Sequence, residues 1–358
     1  MEALSALVAG LPADLPAAVC VVVHLRPYGE SRLAEVLGRA GPLPAVAAQH
    51  GMRLRHGTIY VAVPDLHLLV ERDGDVGVLR LTHGPKENRA RPAVDPLFRS
   101  AALAFGPRAI GVIVSGALDD GTAGLWAIRD RGGLAVVQAP DDALVHSMPQ
   151  SALDEVGADH VAPAADLGAL LGRLAREPAA AAPPHVATSG QPDDPTTVLE
   201  REVAMAAVDE EAHQRSERYG VPSRFACPDC SGVLWDVSGD GPLRLRCETG
   251  HAYSAASLAE GQAETVEHAL WAAVRAMEDR IEFARVRARH ATARGLDALV
   301  RQFAVQEEAA QQHATVLRAL LRLDGRGGIR PVTSPVEGPS AHEPELGGTR
   351  APPAETTE

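Results

Sequence analysis

Long apolar runs, lysine and cysteine are all scarce in this 358-residue chain. No stretch reaches the roughly 20 consecutive apolar residues that a membrane-crossing helix needs, which excludes a membrane span. The chain opens Met1-Glu2 where a secretory signal would carry basic residues, so the expectation is a soluble, cytoplasmic protein. Positive charge is short as well. Against 47 acidic residues stand 34 basic ones, a net charge of −13, which argues against a nucleic-acid binder. Only Lys86 among the basic residues is lysine, and with the abundant Ala, Gly and Pro this resembles the coding bias of a GC-rich genome. Of the four cysteines, Cys20 stands alone while Cys227, Cys230 and Cys247 cluster, a pattern suited to a metal site better than to a disulfide framework. A further absence lies at the start. Leu4, Leu7, Val8 and Leu11 sit at helical spacing, yet no Ser, Thr, Asp or Asn precedes them to cap the first amides.

What is present is enough for a large core, since 46% of the residues are hydrophobic and the length allows two or three domains. From residue 1 to about 175, apolar runs alternate with helical patterns. VCVVVHL (19–25), TIYVAVP (58–64), HLLVERDGDVGVLRL (67–81), AIGVIVSG (109–116) and LAVVQAP (134–140) read as strands. SRLAEVLGRA (31–40), VDPLFRSAALAFG (94–106) and GTAGLWAIRDRGG (121–133) read as helices, the last ending in Gly132-Gly133 as a C-cap. Such alternation predicts an α/β fold with a doubly wound, mainly parallel sheet, whose ligands bind at the carboxyl ends of the strands. A Pro/Ala/Gly-rich linker (176–195) follows, then a short helical connector (196–225) and a cysteine module (226–256). A helical hairpin is expected over 257–323, with Ser257 as N-cap and Val266, Leu270, Ala273, Met277, Ile281 and Ala284 on one stripe. Its second helix carries Leu296, Leu299, Phe303, Ala310, Leu317 and Leu321, and the Gly/Pro/Glu-rich tail (324–358) is expected to be disordered.

Two strand ends carry chemistry. His24 closes the first strand, and SGALDDG (115–121) follows AIGVIV. A strand-end histidine can act as a general base when a carboxylate orients its ring, although such a residue is commonly only a half-buried polar end. Asp119-Asp120 before Gly121 can likewise be a simple turn and helix cap. Nothing in residue type alone separates these readings.

A resemblance separates them. VIVSGALDDGTAGLWAIRDRGGLAVVQAPDDALVHSMPQSAL (112–153) resembles the catalytic domain of the CheB-type protein-glutamate methylesterases of bacterial chemotaxis, with their (T/S)GMGxDG turn, VQ(D/A)P segment and SMPxxA motif. NRARPAVDPLFRSAA (88–102) is similar to that family's NxxRPSVDxLFRSAA, and HGMRLRHGTIYVAVPDLHLLV (50–70) to a further family stretch. The resemblance covers residues 1 to about 160. It implies a Ser-His-Asp hydrolase that removes methyl esters from glutamates of chemoreceptors, with His24 as general base, Asp120 orienting it, Asp119 a bystander, and no cofactor for catalysis. The expectation is a catalytic domain without a fused receiver domain, and so without a phosphorylation switch in cis. Ala117-Leu118 stands where the family has Met-Gly, and Leu25-Arg26-Pro27 follows His24 where the family has Met-Pro.

The family's nucleophile lies in a GxSxGG turn after a first strand, and that turn runs into a helix similar to MEALSALVAGLP (1–12). The strand and its serine are absent from the sequence as it stands. Ser5 lies inside a helix and Ser31 opens another, so neither offers the exposed strand-to-helix elbow that a nucleophile requires. The expectation is that Met1 is an internal valine codon taken as the start, with the serine encoded just upstream. The rival expectation is a catalytically inactive zinc-binding adaptor that keeps the methylesterase fold.

CPDCSGVLWDVSGDGPLRLRCETGH (227–251) has the spacing C-x2-C-x16-C-x3-H. Cys227, Cys230, Cys247 and His251 form two knuckles joined by a hairpin of VLWDV and LRLRC, the pattern of a closed structural Zn²⁺ ribbon. A redox CxxC pair is the alternative, and it leaves the second knuckle unexplained. The expected partners are methyl-accepting chemotaxis receptors or related signalling proteins, with the 257–323 helices as a homo- or hetero-oligomer surface or, equally, as ordinary core.

Overall fold

The computed structural model describes residues 1–24, 27–29, 31–181, 195–209 and 220–322. The described part of the 176–195 linker ends at residue 181, and the expected disordered tail lies outside the described residues.

The N-terminal region is built from parallel strands with helices on both faces. Its strands are β1 (Val19–Val21), β2 (Ala45–Ala47), β3 (Ile59–Val61), β6 (Ile110–Ile113), β7 (Leu134–Gln138) and β8 (His160–Ala162). They form two parallel three-stranded sheets, ordered β1-β3-β2 and β6-β7-β8. Side chains alternate between two cores as the strand period requires. Tyr60, Ile113, Ala135 and Val137 face α3 (Val94–Phe105), α4 (Thr122–Asp130) and α5 (Ser147–Glu155), whereas Val21, Ile59, Val61 and Val136 face α1 (Glu2–Ala9), α2 (Leu33–Ala40) and α6 (Ala164–Leu174). Fully buried leucines such as Leu37, Leu125 and Leu167 contribute about 1.5–3 kcal/mol each through burial. Helix α1 begins, as its sequence suggests, without a side-chain cap.

Several readings from the sequence need correction. Residues 67–81 are not one strand but an antiparallel hairpin, β4 (His67–Asp73) and β5 (Val76–Thr82), because Gly74 adopts φ +61 and turns the chain. The single expected sheet is divided, since among the described residues β1 pairs only with β3 and β6 only with β7. Between these unpaired edges lies a cleft of about 1290 Å³, lined by Val19, Val21, Val23, Ile110, Val112 and Val114 and reaching α1, His24 and Ser115. Strands β2 and β8 and helices α5 and α6 have no counterpart among the elements expected from the sequence.

Among the described residues of the connector, α7 (Pro195–Ala206) is helical; residues 210–219 lie outside the described set. Residues 221–226, at the expected border between connector and cysteine module, form β9. Strand β9 is the edge of an antiparallel sheet completed by β10 (Val233–Asp236), β11 (Arg244–Cys247) and β12 (Ala252–Ser254). Helix α8 (Ala255–Ala293) starts earlier than expected. Its N-cap is Ser254, and Ser257 is the reciprocal partner in a capping box. Helix α9 (Asp297–Arg322) runs back along α8, pairing Arg285 with Glu307 and Arg318 with Glu278. Val274, Ala284 and Ala291 bury against Phe303, Ala310 and Ala314, while Val266, Leu296 and Leu299 of the expected stripes remain exposed. No helix among the described residues is long and apolar enough to cross a membrane.

Five buried charges tie these parts together. Glu87 pairs with Arg99 of α3 and with Arg246 of β11, and Glu202 of α7 pairs with Arg246 (3.3 Å) and Arg244 (2.9 Å). Burial alone would push the Glu87 carboxyl up, but Arg246 and Arg99 hold it down at about 2. Removing one partner of such a network strands a buried charge, whereas the intact network is close to balanced. Glu202→Gln keeps the shape and deletes the charge. It is expected to cost about 3 kcal/mol, read as a lower midpoint in urea unfolding with an unchanged slope.

Candidate active site and metal centre

His24 lies three residues beyond β1, and Asp120 sits in the turn between β6 and α4, so 96 residues of chain separate them. The fold brings them together: His24 Nε2 stands 2.6 Å from Asp120 Oδ2. The His24 side chain is 42% exposed and the Asp120 side chain 2%, so an accessible imidazole rests on a buried carboxylate. Nδ1 is left without a protein hydrogen bond among the described residues, and His24 lines the cleft between β1 and β6.

The surroundings of Asp120 explain why it can stay ionised. Oδ2 also accepts from the Val94 amide at 2.7 Å, and Oδ1 accepts from Asn88 Nδ2 at 2.8 Å and the Asp95 amide at 3.3 Å. The two amides open α3, where the helix dipole favours a negative charge. Burial pushes Asp120 upward, but its bonds to His24, Val94 and Asn88 hold it below the ordinary carboxylate value. Asp95 beside it is pushed up to about 7, by burial first and by the charge of Asp120 second. The hydrogen bond to Asp120 raises His24 above the usual histidine value despite its partial burial, and the charges of Asp120 and Asp95 add to the effect.

The turn itself is tight. Gly121 takes φ +92, and a Cβ there would lie 2.6 Å from Ile113 and 2.7 Å from Val94. Gly116 bonds Val145 and Met148 through its backbone, and a Cβ on it would strike the Met148 sulfur at 2.1 Å, which seats the SMP segment on the turn. Leu118 adopts φ +62, a left-handed conformation that costs a non-glycine residue roughly 1–2 kcal/mol.

Sequence reasoning missed Asn88 and Asp95, although both lie in the quoted NRARPAVD stretch; their spacing carries no catalytic signature. Asp119, read as a bystander, is buried and accepts from Ser254 Oγ and from the Ala256 amide at 3.2 Å, so it anchors the start of α8. Neither Ser5 in α1 nor Ser31, whose Oγ accepts from the Leu33 amide, bonds His24. His67 is a satisfied core histidine, bonded to the Pro85 carbonyl and the Ala93 amide. Burial pushes the lone Cys20 up to about 12, which favours its neutral thiol form.

In the second module the candidate ligand atoms of Cys227, Cys230, Cys247 and His251 all lie within 4.8 Å of one another. Cys230 and Cys247 sulfurs are 3.6 Å apart, and His251 Nδ1 is 3.7 Å from Cys227 and 3.6 Å from Cys247. A tetrahedral ion with bonds of about 2.3 Å to sulfur and 2.0–2.1 Å to nitrogen sets its ligands about 3.5–3.8 Å apart, and these three separations suit such a set. The Tyr253 hydroxyl lies 3.2 Å from Cys227 Sγ and also bonds Asp229, supporting the ligands from outside.

Residues 1–171 match the family model described as CheB methylesterase. This region is a CheB methylesterase-family domain. Similar curated proteins are the protein-glutamate methylesterase/protein-glutamine glutaminases of Nocardioides sp., 41% identical over 177 residues (49% of this chain, 48% of that protein), and of Archaeoglobus fulgidus, 34% over 162 residues (45% and 46%). The solved Thermotoga maritima CheB methylesterase catalytic domain is 31% identical, covering 48% of this chain and 92% of that one, with a TM-score of 0.47. The chain spans about half the length of the curated relatives it matches. Within the CheB-family domain Leu118 holds the position where the family motif has glycine. Leu118→Gly is therefore expected to relieve the turn and stabilise the fold by about 0.5–1 kcal/mol, after the entropy that glycine loses on folding, read as a higher melting temperature.

Proposed function

We propose that the chain is a protein-glutamate methylesterase, in which His24 is the general base and Asp120 holds it for proton transfer from a serine hydroxyl. The observation that carries this reading is the 2.6 Å contact between an exposed imidazole and a buried, multiply bonded carboxylate, one beyond β1 and the other beyond β6. A carboxylate at Nε2 fixes the tautomer, leaving Nδ1 as the proton acceptor. The family match over residues 1–171 supports the ester chemistry. The cleft between the free edges of β1 and β6 suits one more parallel strand, and we place there the strand that carries the nucleophile, next to His24 and to the start of α1. The substrates would be methylated glutamates of chemotaxis receptors or related signalling proteins, met in the cytoplasm.

The chain divides, in this reading, into a methylesterase domain over 1–175, a ribbon over 221–254 and a helical hairpin over 255–322. A structural zinc ion held by Cys227, Cys230, Cys247 and His251 closes the ribbon, with no coordination position open for catalysis. It would supply much of the folding free energy of a module whose own core is only a handful of residues, among them Leu234, Leu245, Tyr253 and Leu258.

Methanol release from methylated receptor, measured with the gene product that includes any codons in frame upstream of Met1, tests the assignment. Activity should rise with pH through a midpoint above 6.5, because His24 must lose its proton to act and Asp120 raises its affinity for that proton. Asp120→Asn should lower that midpoint and reduce kcat by about 10⁴, and His24→Gln should remove turnover. No methanol release by a chain that carries a serine elbow would remove the enzyme reading in favour of an inactive adaptor. Freshly purified protein is expected to hold about one zinc per chain, and Cys227→Ser to lose both the metal and ribbon stability. Zinc-free protein with a harmless Cys227→Ser would eliminate the metal claim.

A further inference from the structure

The ribbon and the His24–Asp120 pair are joined through one side-chain amide. Both hydrogens of Asn88 Nδ2 are used on carboxylates, Asp120 and Asp95, at 2.8 Å each. Its Oδ1 accepts from the Ser254 amide at 2.9 Å and from Ser257 Oγ at 3.1 Å, both in the capping box of α8. An amide can flip end for end at little cost in shape, and only its partners decide which end points where. Here those partners on the oxygen side belong to the C-terminal module. The Asn88 backbone, at φ +49, is held from the same side, since its amide donates to the Ala252 carbonyl at 2.8 Å.

The neighbouring residues repeat the pattern. Glu87, next to Asn88, pairs with Arg246, next to Cys247. Asp119, next to Asp120, accepts from Ser254 Oγ and the Ala256 amide. Only Ala252 and Tyr253 separate Ser254 from His251, and β12 pairs with β11, which ends at Cys247. The metal-ligand set thus fixes the strand that fixes Asn88 and Asp119.

We propose that the ribbon and the first turn of α8 form a positioning module for the general base, with Asn88 and Asp119 as positioning residues that transmit the metal-held fold of the ribbon to Asp120. The proposal rests on the methylesterase reading for its purpose and on these hydrogen bonds for its existence. Release of the metal, or loss of the Ser254 and Ser257 contacts, frees the Asn88 amide to rotate; Asp120 then loses a donor and its fixed place, and His24 loses its orientation. Neither Asn88 nor Asp119 touches His24.

The test follows the His24 imidazole by NMR through a pH titration of the 358-residue chain, with the resonance assigned by its absence in His24→Gln. The charged groups facing His24 are Asp120, from the turn before α4, and Asp95, from α3, and none of the test substitutions alters either. Asn88→Ala, the pair Ser254→Ala with Ser257→Ala, and chelator-treated wild-type protein are each expected to lower the His24 midpoint by about half a pH unit or more, toward that of an unpaired histidine. Thr315→Ala, on the exposed side of α9, should leave it unchanged. If the paired substitution prevents folding, Ser257→Ala alone carries the test, because it deletes one of the two donors to Asn88 Oδ1 and leaves the Ser254 cap. An unmoved midpoint in folded Asn88→Ala and Ser257→Ala protein overturns the proposal. Because the readout is a proton on His24 and not turnover, a moved midpoint without methanol release overturns the esterase reading alone.

Discussion

Asp120 is a buried carboxylate beside a second buried carboxylate, and almost everything near it is arranged so that it can keep its charge. It accepts from His24, from two amides at the start of α3 and from Asn88. An isolated ionised carboxylate in such a place would be too costly to persist, and it would take up a proton and lose its hold on the imidazole. Instead Asp95 is the one driven upward, with its oxygens bonded to Asn88 and to the Gly124 amide. The two carboxylates are accommodated by making their surroundings unequal, and the inequality comes from the bond to His24 and the Val94 amide at the start of α3.

That constraint accounts for features that look unrelated when taken singly. The left-handed residues Leu118 and Gly121 bend the chain sharply enough to aim Asp120 back at α3. Gly116 lets the SMP segment close over the same turn. The C-terminal module touches the methylesterase-family domain at residues 86–89 and 119, beside the carboxylate, and also at Trp126 of α4. The five-charge network of Arg99, Glu87, Arg246, Glu202 and Arg244 lies next to this contact and makes it a fixed joint. Buried ion pairs add little to stability against apolar packing, but they tolerate only one arrangement, which suits a joint that must hold a particular register.

Much of this was legible in the chain. Helices α2, α3 and α4 lie where their periodicity puts them, and the C-x2-C-x16-C-x3-H spacing marked a ligand set whose atoms do converge. The turn inside 67–81 did not stand out from its flanking strands, because a glycine turn differs from its surroundings in backbone dihedrals more than in apolar pattern. The Ser254 cap was displaced to Ser257, since two serines three apart both satisfy the local signal and only the geometry shows that they cap one another. Asn88 and Asp119 stood in motifs the sequence showed, but nothing there pointed to their partners: an amide and a carboxylate in loops gain a role only from what the fold sets against them.

The sequence by itself determined the alternation of strand and helix, the two knuckles of the ribbon and the pairing of the long C-terminal helices, because each is written in local period or spacing. The tertiary structure alone decided which nitrogen of His24 meets Asp120, that Asp119 turns to the ribbon, and that Asn88 bridges Asp120 to the capping box of α8. Those outcomes depend on groups far apart in the chain, His24 from Asp120 and Asn88 from Ser254, and a buried carboxylate is satisfied by position in space, whatever its neighbours in sequence.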